Sequence, residues 1–418
     1  MSNLALDGGA PVRAEPFPRR IVIGEEEIDA VHTLLEKERT RGGGLDRYGG
    51  EHVDAYEREF ATYHGVAYAT AVSSGTAAVH TALAALRPDI AREVISAPIT
   101  DPGGVAPILW QNCIPIFADA DPATLNMDPA SVAARITDRT AAIIVTHLAG
   151  QPADMDPILE IARAHSLPVI EDCSQAHGAL YKGRKVGTLG DLGAFSLMGG
   201  KHHTAGGQGG MVITNHEGFY WDAKRFADRG KPFNSTERKN LFLGLNYRMT
   251  ELEAVIGRVQ LGKLDGVLAR RRANAAALAA QMRDLRAVGL GHVIPDVVPS
   301  YWLMLLRVLP ARLRVGKEQF ARALAAEGLP VDPHYDWILY ETPWFRERAT
   351  YGRSGCPWTC PHYGREVAYE GTCPQARVGV DAHMVLYWHE GYGDAEIAAI
   401  AAALHKVEAA YASSYGRV

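Results

Sequence analysis

From about residue 66 the chain alternates short apolar runs, rich in β-branched residues, with segments of helical period. Seven strands are predicted, over residues 66–73, 93–97, 114–118, 141–146, 168–172, 194–197 and 210–214. Helices are predicted between them at 75–86 and 157–165. Strands interleaved with helices predict an α/β domain on a mostly parallel sheet. A long helical stretch from 251 to about 285 then carries Ala, Leu, Arg and Gln at helical spacing, as expected of a bridge between two domains. Beyond it, 300–309 reads as a strand, 317–327 as a helix and 394–411 as an amphipathic helix with Ile397, Ile400, Leu404 and Val407 near one face. Residues 335–381, rich in Pro, Gly, Cys and aromatics, read as irregular structure. The first 60 residues offer an acidic helix at 25–37 and a Gly-rich turn at 41–50.

Composition narrows the class without naming a function. The chain has 418 residues, 43 basic against 48 acidic side chains and a net charge of −5. That balance argues against a nucleic-acid protein, which would cluster Lys and Arg. No window of 18 uncharged apolar residues predicts a membrane span, and the N-terminus shows no secretory pattern. Five scattered cysteines do not form a disulfide framework. A cytoplasmic globular protein of two domains is the expectation.

Three constellations carry chemistry. Ser73-Ser74-Gly75-Thr76-Ala77 lies at a strand-to-helix junction, where small residues and free N–H groups suit an anion; ordinary N-capping explains the same residues. Glu171-Asp172-Cys173-Ser174-Gln175 ends a strand at the carboxyl edge of the sheet, where open α/β folds bind ligands. A buried acid there could pair with a protonated ring nitrogen, or could cap the next turn. Lys201 sits in the Gly-rich stretch from Ser196 to Gly210, and a partly desolvated lysine can attack a carbonyl to form a Schiff base. An anion cradle, a strand-end acid and a loop lysine, in that order, are the needs of pyridoxal 5′-phosphate.

At these residues the sequence resembles the DegT/StrS-type sugar aminotransferase family of fold-type I pyridoxal-phosphate enzymes. The likeness extends through Thr146-His147-Leu148-Ala149-Gly150-Gln151-Pro152, Val169-Ile170-Glu171-Asp172, Gly190-Asp191-Leu192-Gly193-Ala194-Phe195-Ser196 and Gly244-Leu245-Asn246-Tyr247-Arg248-Met249. It implies a seven-stranded, mostly parallel large domain at 1–265 and a small α+β domain at 266–418. It also implies that Lys201 bears the cofactor as a Schiff base and moves the proton, and that Asp172 pairs with the pyridine nitrogen. Gln175 would contact the phenolic oxygen, and Ser74, Gly75, Thr76 and Ser196 would hold the phosphate. Asn246 would reach the phosphate of a neighbouring subunit, so a homodimer is expected; a plain turn residue is the other reading. The implied reaction moves an amino group from glutamate or glutamine to a ketone of a sugar or cyclitol, in natural-product or cell-envelope pathways. A dehydratase or isomerase with the same cofactor, or a non-catalytic cofactor-binding regulator, are the alternatives. Sugar 3-dehydratases of this type replace the lysine by histidine, whereas Lys201 is present here. The opening residues resemble members acting on cyclitols.

The sequence departs from the family pattern in three places. Asp101 stands where members place an aromatic ring over the cofactor. The loop Gly206-Gly207-Gln208-Gly209-Gly210 is one residue longer and lacks its usual acid, and His202 and His203 follow the lysine. No metal is expected: Cys356, Cys360, His362 and Cys373 are loosely spaced for zinc, and Trp358 and Tyr363 can pack that loop without it. Cys173 reads as a packing residue, His80 as core or interface, and His147 as a group at the sheet edge that could line the site.

Overall fold

The computed structural model describes residues 3–42, 44–335 and 338–413. Gly43, Asp336 and Trp337 therefore leave the predicted 41–50 turn and 335–381 stretch partly outside the described residues. All seven predicted strands form one sheet: β1 Tyr68–Val72, β2 Glu93–Ser96, β3 Ile114–Phe117, β4 Thr140–Thr146, β5 Val169–Asp172, β6 Leu192–Ser196 and β7 Gly210–Thr214. Their order is β1-β7-β6-β5-β4-β2-β3. β7 alone runs against its neighbours β1 and β6, and the other pairs are parallel. A sheet buried on both faces wants apolar residues at every position, and β4 shows how they divide. Ala142 and Ile144 point into one core, Ile143 and Val145 into the other. The helix Gly75–Ala85 is buried from Ala77 to Ala85, which explains why its sequence is apolar all round.

The first two helices are Glu25–Arg41 and Glu51–His64. The second was not predicted, because only Val53, Tyr56, Phe60 and Ala61 mark its buried stripe among charged residues. The long helix Glu251–Gln281 starts where predicted, at a capping box between Thr250 and Glu253. Its early residues Leu261, Leu264 and Leu268 join the core of the large sheet. Its later residues Ala275 and Leu278 join a second core built on a four-stranded antiparallel sheet. That sheet contains Val288–Leu290, Met304–Val308, Val331–Asp332 and His383–Leu386. The helices Lys317–Ala326 and Asp394–Tyr411 pack on it through Phe320, Leu324, Ile400 and Leu404.

The stretch predicted as irregular holds a helix, Pro374–Ala382, opened by a proline at its first position. Its aromatics are not loop decoration. Phe345, Trp358, Tyr363 and Tyr369 pack on the large-sheet core beside the edge strand β3. Among the described residues no helix is long and apolar enough to cross a membrane.

Candidate active site

β5 delivers Asp172 to the carboxyl end of the sheet with its side chain only 4% exposed. Its Oδ1 accepts the Ser174 N–H at 3.0 Å. Burial raises its pKa, opposed by the Ser174 hydrogen bonds and by the charge of Lys201. A Cβ on Gly104 would lie 3.2 Å from Asp172 Oδ2, so that glycine keeps the approach to the carboxylate open. An acid destabilised by burial gains most from a cationic partner.

Lys201 follows β6 in a loop that bonds to itself. Leu197 and Gly199 donate to Gly209 and Gly207, and the Thr204 hydroxyl donates to Leu197 O. The lysine is 6% exposed. Its Nζ lies 3.9 Å from the centroid of the Trp302 ring. Burial lowers its pKa to about 8, against the pull of Asp172 and Asp101. The amine therefore gives up its proton more readily than an exposed lysine.

The predicted anion cradle is assembled by close contact. A Cβ on Gly75 would meet Ser196 Cβ at 2.5 Å, and one on Gly103 would meet Thr76 Oγ1 at 2.5 Å and Asp101 Oδ1 at 3.1 Å. Two of these contacts are possible only for glycine, and they bring Gly75, Thr76, Ser196 and Asp101 together. Ser74 caps the helix Gly75–Ala85, its Oγ accepting Ala77 N–H at 3.0 Å. The N–H groups of Gly75 and Thr76 precede the first intrahelical bond at the positive end of the helix dipole. Both readings of Ser74, cap and cradle, thus meet in one turn.

A cavity of about 490 Å³ adjoins this cluster, with Asp101, Gln175, Trp302, Asp332, His334 and Tyr335 among its walls. Gln175 is fixed by Ala149 N–H at 2.7 Å and by the Tyr335 hydroxyl at 3.0 Å. A larger open groove of about 1130 Å³ lies between the helices Glu25–Arg41, Glu51–His64 and Glu251–Gln281. It holds none of the predicted site residues, and the chemistry selects the smaller cavity.

Asn246 stands apart. It is exposed, on a loop bridged to Asp228, with Leu241, Leu243 and Leu245 exposed beside it. His147 does not line the cavity: it is buried, its Nε2 3.0 Å from Glu171 Oε2 and its Nδ1 accepting Ala153 N–H. With Cys173 these two form the one close group of metal-capable side chains among the described residues. Glu171 is spoken for by the N–H groups of Gly187, Leu189 and Gly190. Cys356, Cys360, His362 and Cys373 do not converge; Cys373 is buried against Phe117 O. His80 is a core residue held by Tyr247 and Gln111. His202 and His203 are buried, bonded to Ser300 O and to Tyr56 and Gly257 O. Sequence reasoning missed Trp302 and Tyr335. A run of aromatics at 301–302 was the available signal, but it was absorbed into a predicted strand that starts only at Met304.

A model of the DegT/DnrJ/EryC1/StrS aminotransferase family matches residues 22–371. The chain belongs to that family. It is 36% identical over 344 residues to an L-glutamine:2-deoxy-scyllo-inosose aminotransferase of Streptomyces lividus, covering 80% of this chain and 81% of that protein. It is 38% identical over 286 residues to a GDP-perosamine synthase of Caulobacter vibrioides, covering 68% and 76%. An aminotransferase structure from Psychrobacter cryohalolentis superposes with a TM-score of 0.83 at 30% identity, over 94% of this chain and 99% of that one. Enzymes of the family depend on pyridoxal 5′-phosphate. The residues here fit that group: a buried acid short of a cation, a desolvated lysine and a glycine-lined turn at a helix N-terminus.

Proposed function

We propose that this family member transfers an amino group from L-glutamine or L-glutamate to a ketone on a cyclitol or sugar ring. The observation that carries the reading is Lys201, a buried amine with its pKa lowered to about 8 within the electrostatic reach of Asp172. The names of the relatives, inosose aminotransferases and perosamine synthases, support the acceptor class. Bound pyridoxal phosphate supplies an aldehyde that accepts nitrogen and a ring that takes up the electrons left by a departing proton. Lys201 would hold the cofactor and move a proton through Nζ, which its lowered pKa suits to general acid–base work near neutrality. Asp172 would keep the ring nitrogen protonated. Gln175 would border the ring, while Ser74, Gly75, Thr76 and Ser196 would hold the phosphate. Asp101 and Asp332 give the cavity hydroxyl-binding acids, in keeping with a polyol acceptor.

We place the boundary of a large cofactor domain near 265, within the long helix, with the small domain following to 418. The active unit of this reading is a homodimer in which Asn246 serves the neighbouring site. Its partners are small molecules rather than nucleic acid or membrane. All five cysteines are unpaired, in keeping with a cytoplasmic setting. Incubation with L-glutamine or L-glutamate and a panel of inososes and keto-sugars tests the function. Formation of a 2-oxo acid and an amino-cyclitol or amino-sugar is expected, lost in Lys201→Ala. No keto acid from any donor would overturn it.

A further inference from the structure

Three charged side chains from distant parts of the chain meet behind Lys201. Arg20 Nε donates to Glu390 Oε1 at 2.7 Å, and Arg271 Nε donates to Glu390 Oε2 at 2.9 Å. Each arginine also donates to backbone. Arg20 Nη1 and Nη2 grip the carbonyls of Lys201 and His202 at 2.5 and 2.9 Å. Arg271 Nη1 grips the carbonyls of Tyr301 and Trp302 at 2.7 and 3.1 Å, and that of Trp388 at 3.1 Å. Glu390 therefore joins the backbone beneath Lys201 to the backbone beneath Trp302, the two residues whose side chains face each other across 3.9 Å.

We propose that Arg20, Glu390 and Arg271 form a positioning clamp that sets the Lys201 amine against the Trp302 ring. Taking two guanidinium groups and a carboxylate out of water is costly, and replacing such triads by apolar residues often stabilises a protein. Arg271 is 1% exposed, so stability is a poor reason for this arrangement, and geometry is a better one. A planar guanidinium can hold two neighbouring carbonyls in one plane, which a lysine ammonium does not do. The loop it holds is glycine-rich and would otherwise set the lysine loosely. An N-terminal strap delivers Arg20. Arg13 pairs with Glu396 at 3.0 Å, Phe17 packs on Tyr392, Pro18 O accepts from His389, and Val22 O accepts from Gln260. The strap thus ties the small sheet's elements to the lysine loop of the large one. Arg20 and Arg271 also stand among the walls of the cavity, with Glu390 bonded to both.

This rests on Lys201 being the reactive amine. The test uses the full chain and two variants, Arg20→Met and Arg20→Lys. In the cofactor-free protein, the pH dependence of Lys201 acetylation by acetic anhydride is read by mass spectrometry. In the loaded protein, kcat and KM for the amino donor are read. Loosening the clamp admits water, so the Lys201 titration should move up by about half a pH unit or more in both variants. kcat should fall about tenfold or more with KM little changed. In a Trp302→Ala background the Arg20→Met step should add little. A lysine variant that titrates like the parent would show that charge alone suffices, and would overturn the clamp. So would variants that melt earlier but leave the Lys201 titration and kcat in place. Failure of Lys201 to be protected from acetylation by pyridoxal phosphate would instead overturn the site reading on which the clamp rests.

Discussion

The Lys201 ammonium lies 3.9 Å from the face of the Trp302 ring, whose own N–H donates to Gly200 O at 3.0 Å. One aromatic residue therefore both shields the amine and is tethered to the backbone next to it. A cation over an indole is favoured by roughly 0.5–2 kcal/mol, which opposes the larger effect of burial. Trp302→Ala removes both, and burial dominates. The Lys201 pKa should rise from about 8 toward the ordinary lysine value. The alkaline shift of Lys201 acetylation, and of the corresponding limb of the rate profile, checks this. A downward shift would show that the ring acts mainly by attraction.

Asp172 separates activity from stability. Its pKa is raised because burial penalises the carboxylate, so the charge costs the folded state something in the cofactor-free protein. Asp172→Asn keeps the shape and removes the charge. Turnover should fall about 100-fold or more, while the melting temperature of the cofactor-free protein should hold or rise. A melt that drops with activity would assign Asp172 a structural task.

Buried imidazoles behind the lysine make the fold acid-sensitive. Burial lowers the pKa of His64 to about 3 and of His203 to about 4, and pushes His177 and His202 well down. Neutral in the fold and able to protonate once unfolded, these groups stabilise the protein above the unfolded pKa near 6.5. That contribution is lost as pH falls from there toward the folded values. The urea midpoint should drop steadily from pH 7 to 5, and His64→Phe, which keeps the stack on Phe60 at 4.4 Å, should flatten the slope. An unchanged slope would remove His64 from the account.

The strands were legible because their burial on both faces forces continuous β-branched runs, as in Ile143-Ile144-Val145. The trio Thr76, Asp172 and Lys201 was legible because each sits at a strand end whose local sequence is small or polar. Arg20, Glu390 and Trp302 were not. Arg20 meets Lys201 and Glu390 across 181 and 370 positions in sequence, and nothing local marks a residue whose partner lies that far away. His147 misled for the opposite reason: it stands at the sheet edge, but its ring turns inward to Glu171.

The aromatic stretch read as irregular gives a prediction of its own. The Tyr369 hydroxyl donates to Pro115 O on the edge strand at 2.8 Å and accepts the Trp358 indole N–H at 2.7 Å. Tyr369→Phe leaves a carbonyl and an indole N–H without that partner, at a cost of about 1–3 kcal/mol. Denaturant unfolding should show that loss with kcat unchanged, since Tyr369 packs on the edge strand and is not among the walls of the cavity. A loss of activity larger than the loss of folded protein would tie the stretch to the site.

Asn246 supplies the sharpest test of assembly. It is exposed within its own chain, and the loop that carries it also exposes Leu243 at 91%, an apolar surface that a second copy would cover. If Asn246 completes the neighbouring site, Lys201→Ala and Asn246→Ala are each inactive as homodimers. In a mixed dimer one site collects both lesions and the other collects none. Random re-pairing of equal amounts makes half the dimers mixed, so activity should return to about a quarter of the parent value. If Asn246 acted in its own chain, every subunit of the mixture would carry one lesion and no activity would return. Leu243→Asp in both partners should abolish the recovery by preventing pairing, with sedimentation reporting monomers.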